Sequence, residues 1–390
     1  MAGPARRASD LAKLSCNQLE IKHPKRMASE PEILDSVDEA TESIPFTYSI
    51  ASYGADYPVD SLIKRISNGD ILVPTFEHEE KLNEQLDPFQ REYVWPRSKA
   101  DRFIESLLLG LPVPGIFLVK EDSGRLLVLD GHQRLFTLQC FYQGVIDKKE
   151  YSLNGIQERF AGKTYKDLDV EDRRRLDDSI IHATIVKQEE PSEDWSSIYN
   201  IFERLNTGGV TLQPQEIRMA LYHGPFASFL REANAESDWR ALIGPVSRRL
   251  KDIELILRFF ALLYQHQAYQ SPMKDFLNKF MAKNKSLSNP TKDELLSIFR
   301  DTTNLIYTTL GINAFRPERS VNAALVDALM TGVAAALRAG KTPSAQGLLE
   351  TRKQLLAESD FLDAITTGTS QKPKVDLRVS RAIAKVSENP

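Results

Sequence analysis

The alternation of apolar and polar positions divides the chain into two unlike halves. Tyr57–Asn68 reads as a helix, with Asp60 near its start and Gly69 after its end, and Asp70–Phe76 as a short strand. Lys99–Leu109 places Phe103, Ile104, Leu107 and Leu108 on one helical face, with Pro96 at its start and Gly110 as its stop. Pro112-Val113-Pro114 forces extended chain. A strand over Gly115–Glu121, a turn at Asp122-Ser123-Gly124 and a return strand over Arg125–Leu129 follow. Asp130-Gly131 breaks that strand, and His132–Tyr142 is helical until Gly144. The Arg/Asp-rich run Glu171–Asp178 reads as a solvated helix face. Ile181–Lys187 is a strand, Trp195–Leu205 a helix ended by Asn206-Thr207-Gly208-Gly209, and Thr211–Ala220 a further helix.

From Pro225 onward the spacing is helical throughout, over Ile253–Tyr264, Met273–Met281, Lys292–Tyr307, Val321–Arg338 and Ser344–Glu358, with a loop at Lys283–Pro290. No repeat of fixed period and no heptad run occurs. The expected class is α+β. An α/β domain over residues 46–224 is followed by an all-α domain over 225–390, joined near Gly224-Pro225. Residues 1–26 are basic and 27–45 acidic with few aromatics, so 1–45 is expected to be a disordered tail; Met27 offers an alternative start.

Composition narrows the class. With 42% hydrophobic and 27% charged residues, the 390-residue chain is ordinary for a globular protein and long enough for a core without staples. A net charge of −4 excludes a globally basic nucleic-acid coat but leaves room for a local basic groove. Two cysteines, Cys16 and Cys140, cannot build a disulfide framework, and a reducing cytoplasm is the expected compartment. The apolar stretch Ile253–Tyr264 is too short to span a bilayer and is broken by Arg258, so no membrane association is expected.

Three constellations carry candidate chemistry. In Asp130-Gly131-His132-Gln133-Arg134 an apolar strand runs directly into a helix. Such a turn presents free N–H groups and a positive dipole end to an anion. Gly131 permits close backbone approach, Arg134 can fork onto phosphate, and Asp130 can hold Mg²⁺ or orient water. His132 and Gln133 can reach the same ligand. The same residues also make a plain strand–helix junction, with Asp130 as cap and Arg134 in a salt bridge. In Phe89-Gln90-Arg91 with Tyr93 and Trp95, the aromatics offer a platform for a base and Arg91 a phosphate contact, or they anchor a loop in the core. In Asn206–Gly209 the paired glycines Gly208 and Gly209 can line an anion or simply stop a helix, and Glu216 can reach back to that loop or cap its own helix. No P-loop, HExxH, Cys-x-x-Cys, G-x-S-x-G or His-Asn-His stretch is present.

Taken in order and spacing, these segments resemble the GmrSD-type restriction endonuclease N-terminal domain family. The likeness rests on Phe89-Gln90-Arg91 with Trp95, Ser106–Pro114, Asp130–Arg134 and Asn206–Leu212, with later pieces at Arg248–Phe260 and Gly368–Arg378, and runs over residues 47–385. It implies a ParB/sulfiredoxin-like nucleotide-binding core followed by helices. It further implies binding and hydrolysis of a nucleoside triphosphate with Mg²⁺, and a role with DNA in prokaryotic restriction and anti-phage defence. By that likeness Asp130, Gln133 and Arg134 are catalytic, Asp130 is the metal ligand, and Phe89, Gln90, Arg91, Trp95, Gly131, His132, Asn206, Gly208 and Gly209 contact nucleotide. His132 stands where the family has Gln, which touches hydrolysis rate or nucleotide choice. DNA cutting is expected from a separate nuclease subunit. A non-hydrolysing regulatory module and a direct ParB-like nuclease are the rival expectations.

Overall fold

A computed structural model describes residues 33–34, 49–73, 95–146, 148–190, 195–205, 213–247 and 249–389. The N-terminal region is mixed α/β. Its strands are β1 (Ile33–Leu34), β2 (Ser49–Pro58), β3 (Ile71–Leu72), β4 (Ile116–Lys120), β5 (Leu126–Asp130), β6 (Val145–Ile146), β7 (Lys149–Glu150) and β8 (Ile180–Glu190). Its helices are α1 (Val59–Ser67), α2 (Arg97–Leu108), α3 (His132–Gln143), α4 (Val170–Asp177), α5 (Ser196–Leu205) and α6 (Pro214–Leu221). The C-terminal region is helical from α7 (Pro225–Asn234) and α8 (Ser237–Ile243) through α9 (Lys251–Gln265), α10 (Met273–Asn284) and α11 (Lys292–Leu310). It continues as α12 (Ala323–Arg338), α13 (Ala345–Ala357), α14 (Ser359–Thr366) and α15 (Lys372–Glu388). Among the described residues there, the one extended piece, β9 (Val321–Asn322), pairs in parallel with β1. That pairing places residues 33 and 34 of the expected tail in a strand; the rest of the tail lies outside the described residues.

Five strands form one mixed sheet in the order β2-β8-β4-β5-β3. β2 runs antiparallel to β8, β8 parallel to β4, β4 antiparallel to β5, and β5 parallel to β3. β4 and β5 are the hairpin expected from sequence. The apolar run Leu126–Leu129 is buried at all four positions, as a strand covered on both faces must be.

Side chains alternate across a strand, so the two faces belong to different cores. Leu118, Val128, Ile181, Ala183 and Ile185 pack with Val59, Leu62, Phe103, Ile104, Leu135, Leu138 and Phe141 from α1, α2 and α3. Val119, Leu127, Leu129 and Val186 face the other way, into the large helical core. α5 and α6, which precede Gly224, contribute Ile198, Tyr199, Phe202 and Ile217 to that helical core.

The helical region is built around α9 and α12. Asp327 of α12 is fully buried and takes two bonds from Arg258 of α9, at 3.1 and 2.7 Å, and one from Arg378 of α15 at 2.7 Å. Burial pushes the Asp327 carboxyl up, and the two guanidinium groups more than offset this, holding it below the ordinary carboxylate value. Gly332 lets α15 close on α12, because a Cβ there would stand 3.0 Å from the Ala382 carbonyl oxygen.

The candidate site at the β5–α3 turn

β5 delivers Asp130 to the end of the sheet, and α3 begins two residues later. Gly131 between them has φ 98° and ψ 5°, a left-handed conformation that L side chains rarely adopt. A Cβ at this position would also lie 2.4 Å from Ile116 Cγ2, so both the turn and the packing on β4 demand glycine. Gly131 is the N-cap of α3 and supplies no side-chain acceptor, and the first turn holds no acidic residue. The positive helix end is therefore not spent on a capping side chain.

Arg134, one turn into α3, folds back over this start. Its Nη2 donates to Asp130 Oδ2 at 2.8 Å and to the Gly115 carbonyl oxygen at 2.8 Å. The salt-bridge alternative for Arg134 is thus present in the structure, whereas Asp130 does not cap α3. The Asp130 side chain remains 42% exposed and that of Arg134 14%, so the carboxylate opens to solvent while the guanidinium is mostly enclosed. His132 is buried and its ring stacks on Phe136, with centroids 6.2 Å apart and an interplanar angle of 6°. Gln133 Nε2 lies 3.5 Å from His132 Nδ1.

The second constellation reaches the first through Trp95, whose backbone N–H donates to Gln133 Oε1 at 3.4 Å, across 38 positions of sequence. The Trp95 ring stands edge-on to Phe103 of α2 at 5.6 Å, and Lys99 Nζ lies 4.7 Å from its centroid. Phe89, Gln90 and Arg91 lie outside the described residues, as do Asn206, Gly208 and Gly209. Glu216 turns to its own helix. Its Oε2 accepts from the Gln213 N–H at 2.6 Å and sits 3.2 Å from Arg249 Nη2.

Sequence reasoning passed over two partners at this end of the sheet. Gly115 lends the carbonyl that fixes Arg134; the signal was its place directly after Pro112-Val113-Pro114, where β4 starts. On the neighbouring strand, His182 Nδ1 pairs with Asp56 Oδ1 at 2.8 Å, both exposed. A Cβ on Gly115 would meet the His182 carbonyl oxygen at 2.7 Å, which sets how closely β4 and β8 approach here. No motif pointed to this pair, because its members lie 126 positions apart.

Among the described residues no group of three or more His, Cys, Asp or Glu could hold a metal ion. Asp130 is the one carboxylate of the turn. Magnesium is commonly held by one or two carboxylates together with phosphate oxygens of a ligand, so this donor set would fit the ion only beside a phosphate-bearing ligand. Among the described residues no helix is long and apolar enough to cross a membrane.

No match was found among curated proteins or among solved structures. Residues 74–223 match the family model described as GmrSD restriction endonuclease, N-terminal domain. The matched stretch contains β4, β5, the Asp130–Arg134 turn, α3 and the helices through α6, and leaves out β2, β3 and the helical region. Over residues 74–223, this chain carries a GmrSD restriction endonuclease N-terminal domain.

Proposed function

We propose that this chain belongs to a GmrSD-type restriction system acting on DNA, and that it binds and hydrolyses a nucleoside triphosphate at the β5–α3 turn. The observation that carries the reading is the bare glycine start of α3, with Asp130 and Arg134 at its mouth. Phosphate oxygens would accept from the first-turn N–H groups, and Arg134 would add a fixed positive charge beside them. Gly131 keeps that approach free of side-chain atoms. Asp130, open to solvent, is placed to orient a water at the terminal phosphate. Mg²⁺ bound with the nucleotide would neutralise phosphate charge. Fixed positive groups of this kind act chiefly by stabilising charge on the transferring phosphoryl group. Gln133 and His132 border the same turn. Phe89, Gln90, Arg91, Trp95, Asn206, Gly208 and Gly209 are the further contacts this reading assigns, and a partner nuclease would do the cutting.

The test is phosphate release by purified protein with each of the four nucleoside triphosphates and Mg²⁺, with and without DNA. Release that disappears in Arg134→Ala supports the reading. Absence of both release and calorimetric binding overturns it. A second reading, binding without turnover, is favoured by the engagement of Arg134 with Gly115 and Asp130, which occupies Nη2 before any ligand arrives. Tight binding with no release would select it.

A further inference from the structure

We propose that a second site, a groove along the α1 side of β2 that opens at the β4–β5 turn, seats one unpaired nucleotide of a DNA strand. The site is a groove of about 440 Å³ between β2, the β4–β5 turn and α1, lined among others by Tyr53, Tyr57, Arg65, Asp70, Lys120 and Arg125. Only the choice of DNA over RNA rests on the functional reading above; the chemistry of the groove stands apart from it.

Four observations set the ligand class. Tyr53 points to the α1 side of the sheet, opposite Ile185, yet is 47% exposed, so a large aromatic face is offered beside a basic rim. Arg65 of α1 stands over the Tyr57 ring at 5.6 Å, which orders its guanidinium without neutralising it. Lys120, at the end of β4, is exposed, and no ion pair to a described residue holds it or Arg65. Arg125 Nε is shared with Glu121 at 3.3 Å and Ser123 at 3.2 Å. With Arg125 paired to Glu121, Arg65 and Lys120 stand against the single carboxylate of Asp70 and leave the lining positive. Aromatic faces interleaved with unneutralised cations suit stacked bases and a phosphate backbone. The volume suits one small ligand unit and not a duplex, which sets the occupant as an unpaired nucleotide. Leu126 lines this groove and Asp130 closes the same strand, so the two sites are separated by about 13 Å along β5.

The experiment is fluorescence anisotropy of the full chain with a labelled oligothymidylate of about a dozen nucleotides. No nucleoside triphosphate is added, so failure here and failure of the hydrolysis reading are seen in separate assays. Tyr53→Ala is expected to weaken binding about tenfold with the salt dependence unchanged, while Tyr53→Phe binds like wild type. Lys120→Glu and Arg125→Glu are expected to weaken it at least about tenfold and to flatten the salt slope by roughly one per cation removed. Lys120→Gln serves where charge reversal lowers the melting temperature. Lys353→Glu, on the exposed face of α13, is the control and should bind like wild type. Equal loss in Lys353→Glu, no binding at all, or displacement by thymidine monophosphate as effective as by the oligomer overturns the proposal. So does displacement by polyglutamate at equal charge, which would make the groove an acidic-peptide site.

Discussion

Arg134 and Asp130 face each other one helical turn apart, 2.8 Å between Nη2 and Oδ2, and the same nitrogen holds the Gly115 carbonyl oxygen. One guanidinium therefore ties the end of β5, the start of β4 and the first turn of α3. The residue has a structural task as well as the one proposed for it, and the two tasks separate in experiment.

Arg134→Ala should abolish phosphate release and also lower stability by about 1.5–3 kcal/mol, the usual worth of a charged, mostly enclosed hydrogen bond. Arg134→Lys keeps the charge but loses the planar fork. It should melt within a few degrees of wild type and still release phosphate at well under a tenth of its rate. Calorimetric melting beside a phosphate assay checks both.

Asp130→Ala removes a carboxylate that is 42% exposed. Arg134 keeps its bond to the Gly115 carbonyl oxygen when the carboxylate goes, so melting should move by about 1 kcal/mol or less while turnover is lost. A collapse of the melting transition would instead make Asp130 a structural residue.

Gly131→Ala should destabilise the protein by more than about 1 kcal/mol, since a left-handed φ and the contact with Ile116 act together. Ile116→Ala in the same chain removes Cγ2 but leaves a Cβ 2.9 Å from the new methyl, so, measured against Ile116→Ala alone, the added cost of Gly131→Ala should fall only in part. Full rescue would show that backbone strain at Gly131 is negligible.

The Asp327 carboxyl titrates below its ordinary value of 3.8 in the folded protein. A depressed carboxylate stabilises above its unfolded value, and that contribution is lost as pH falls through the folded value. The melting gap between wild type and Asp327→Asn should be constant from neutral pH down to about pH 4 and narrow below it. Removing one partner of a buried pair costs about 3–5 kcal/mol, so the gap at neutral pH should be large. A gap independent of pH would place the effect in packing alone.

The hairpin and its following helix were readable because every local rule agreed: a four-residue apolar run, a turn at Asp122–Gly124, and glycines at both ends of α3. β2 carries little strand signal in the sequence. Its α1-side positions Ala51, Tyr53, Ala55 and Tyr57 alternate with Ser52, Gly54 and Asp56, but alanine gives little hydrophobic contrast and its partner β8 is far away in sequence. The run Glu171–Asp178 was expected to be a solvated face. It is helical, but Asp172 is fully buried against Arg159 and Leu176 is buried as well. Tertiary pairing, invisible in a charge count, explains the difference. The late segments quoted for the resemblance supply Arg258 and Arg378, which meet at Asp327. That aspartate belongs to no motif. Its only trace in sequence is one carboxylate inside the apolar run 323–337.

The divided loyalty of the sheet has a consequence for how this gene can be altered. Val119, Leu127, Leu129 and Val186 sit on the very strands that frame Asp130, and they share one core with α5, α6 and the helices after Gly224. Cutting the coding sequence at position 224 would keep α5 and α6 on that face but strip away the helices packed behind them, and an uncovered apolar surface of this kind invites aggregation. Recombination that swaps the C-terminal half would have to carry α9 and α10 surfaces that match α5 and α6, which binds the two halves into a single unit of inheritance.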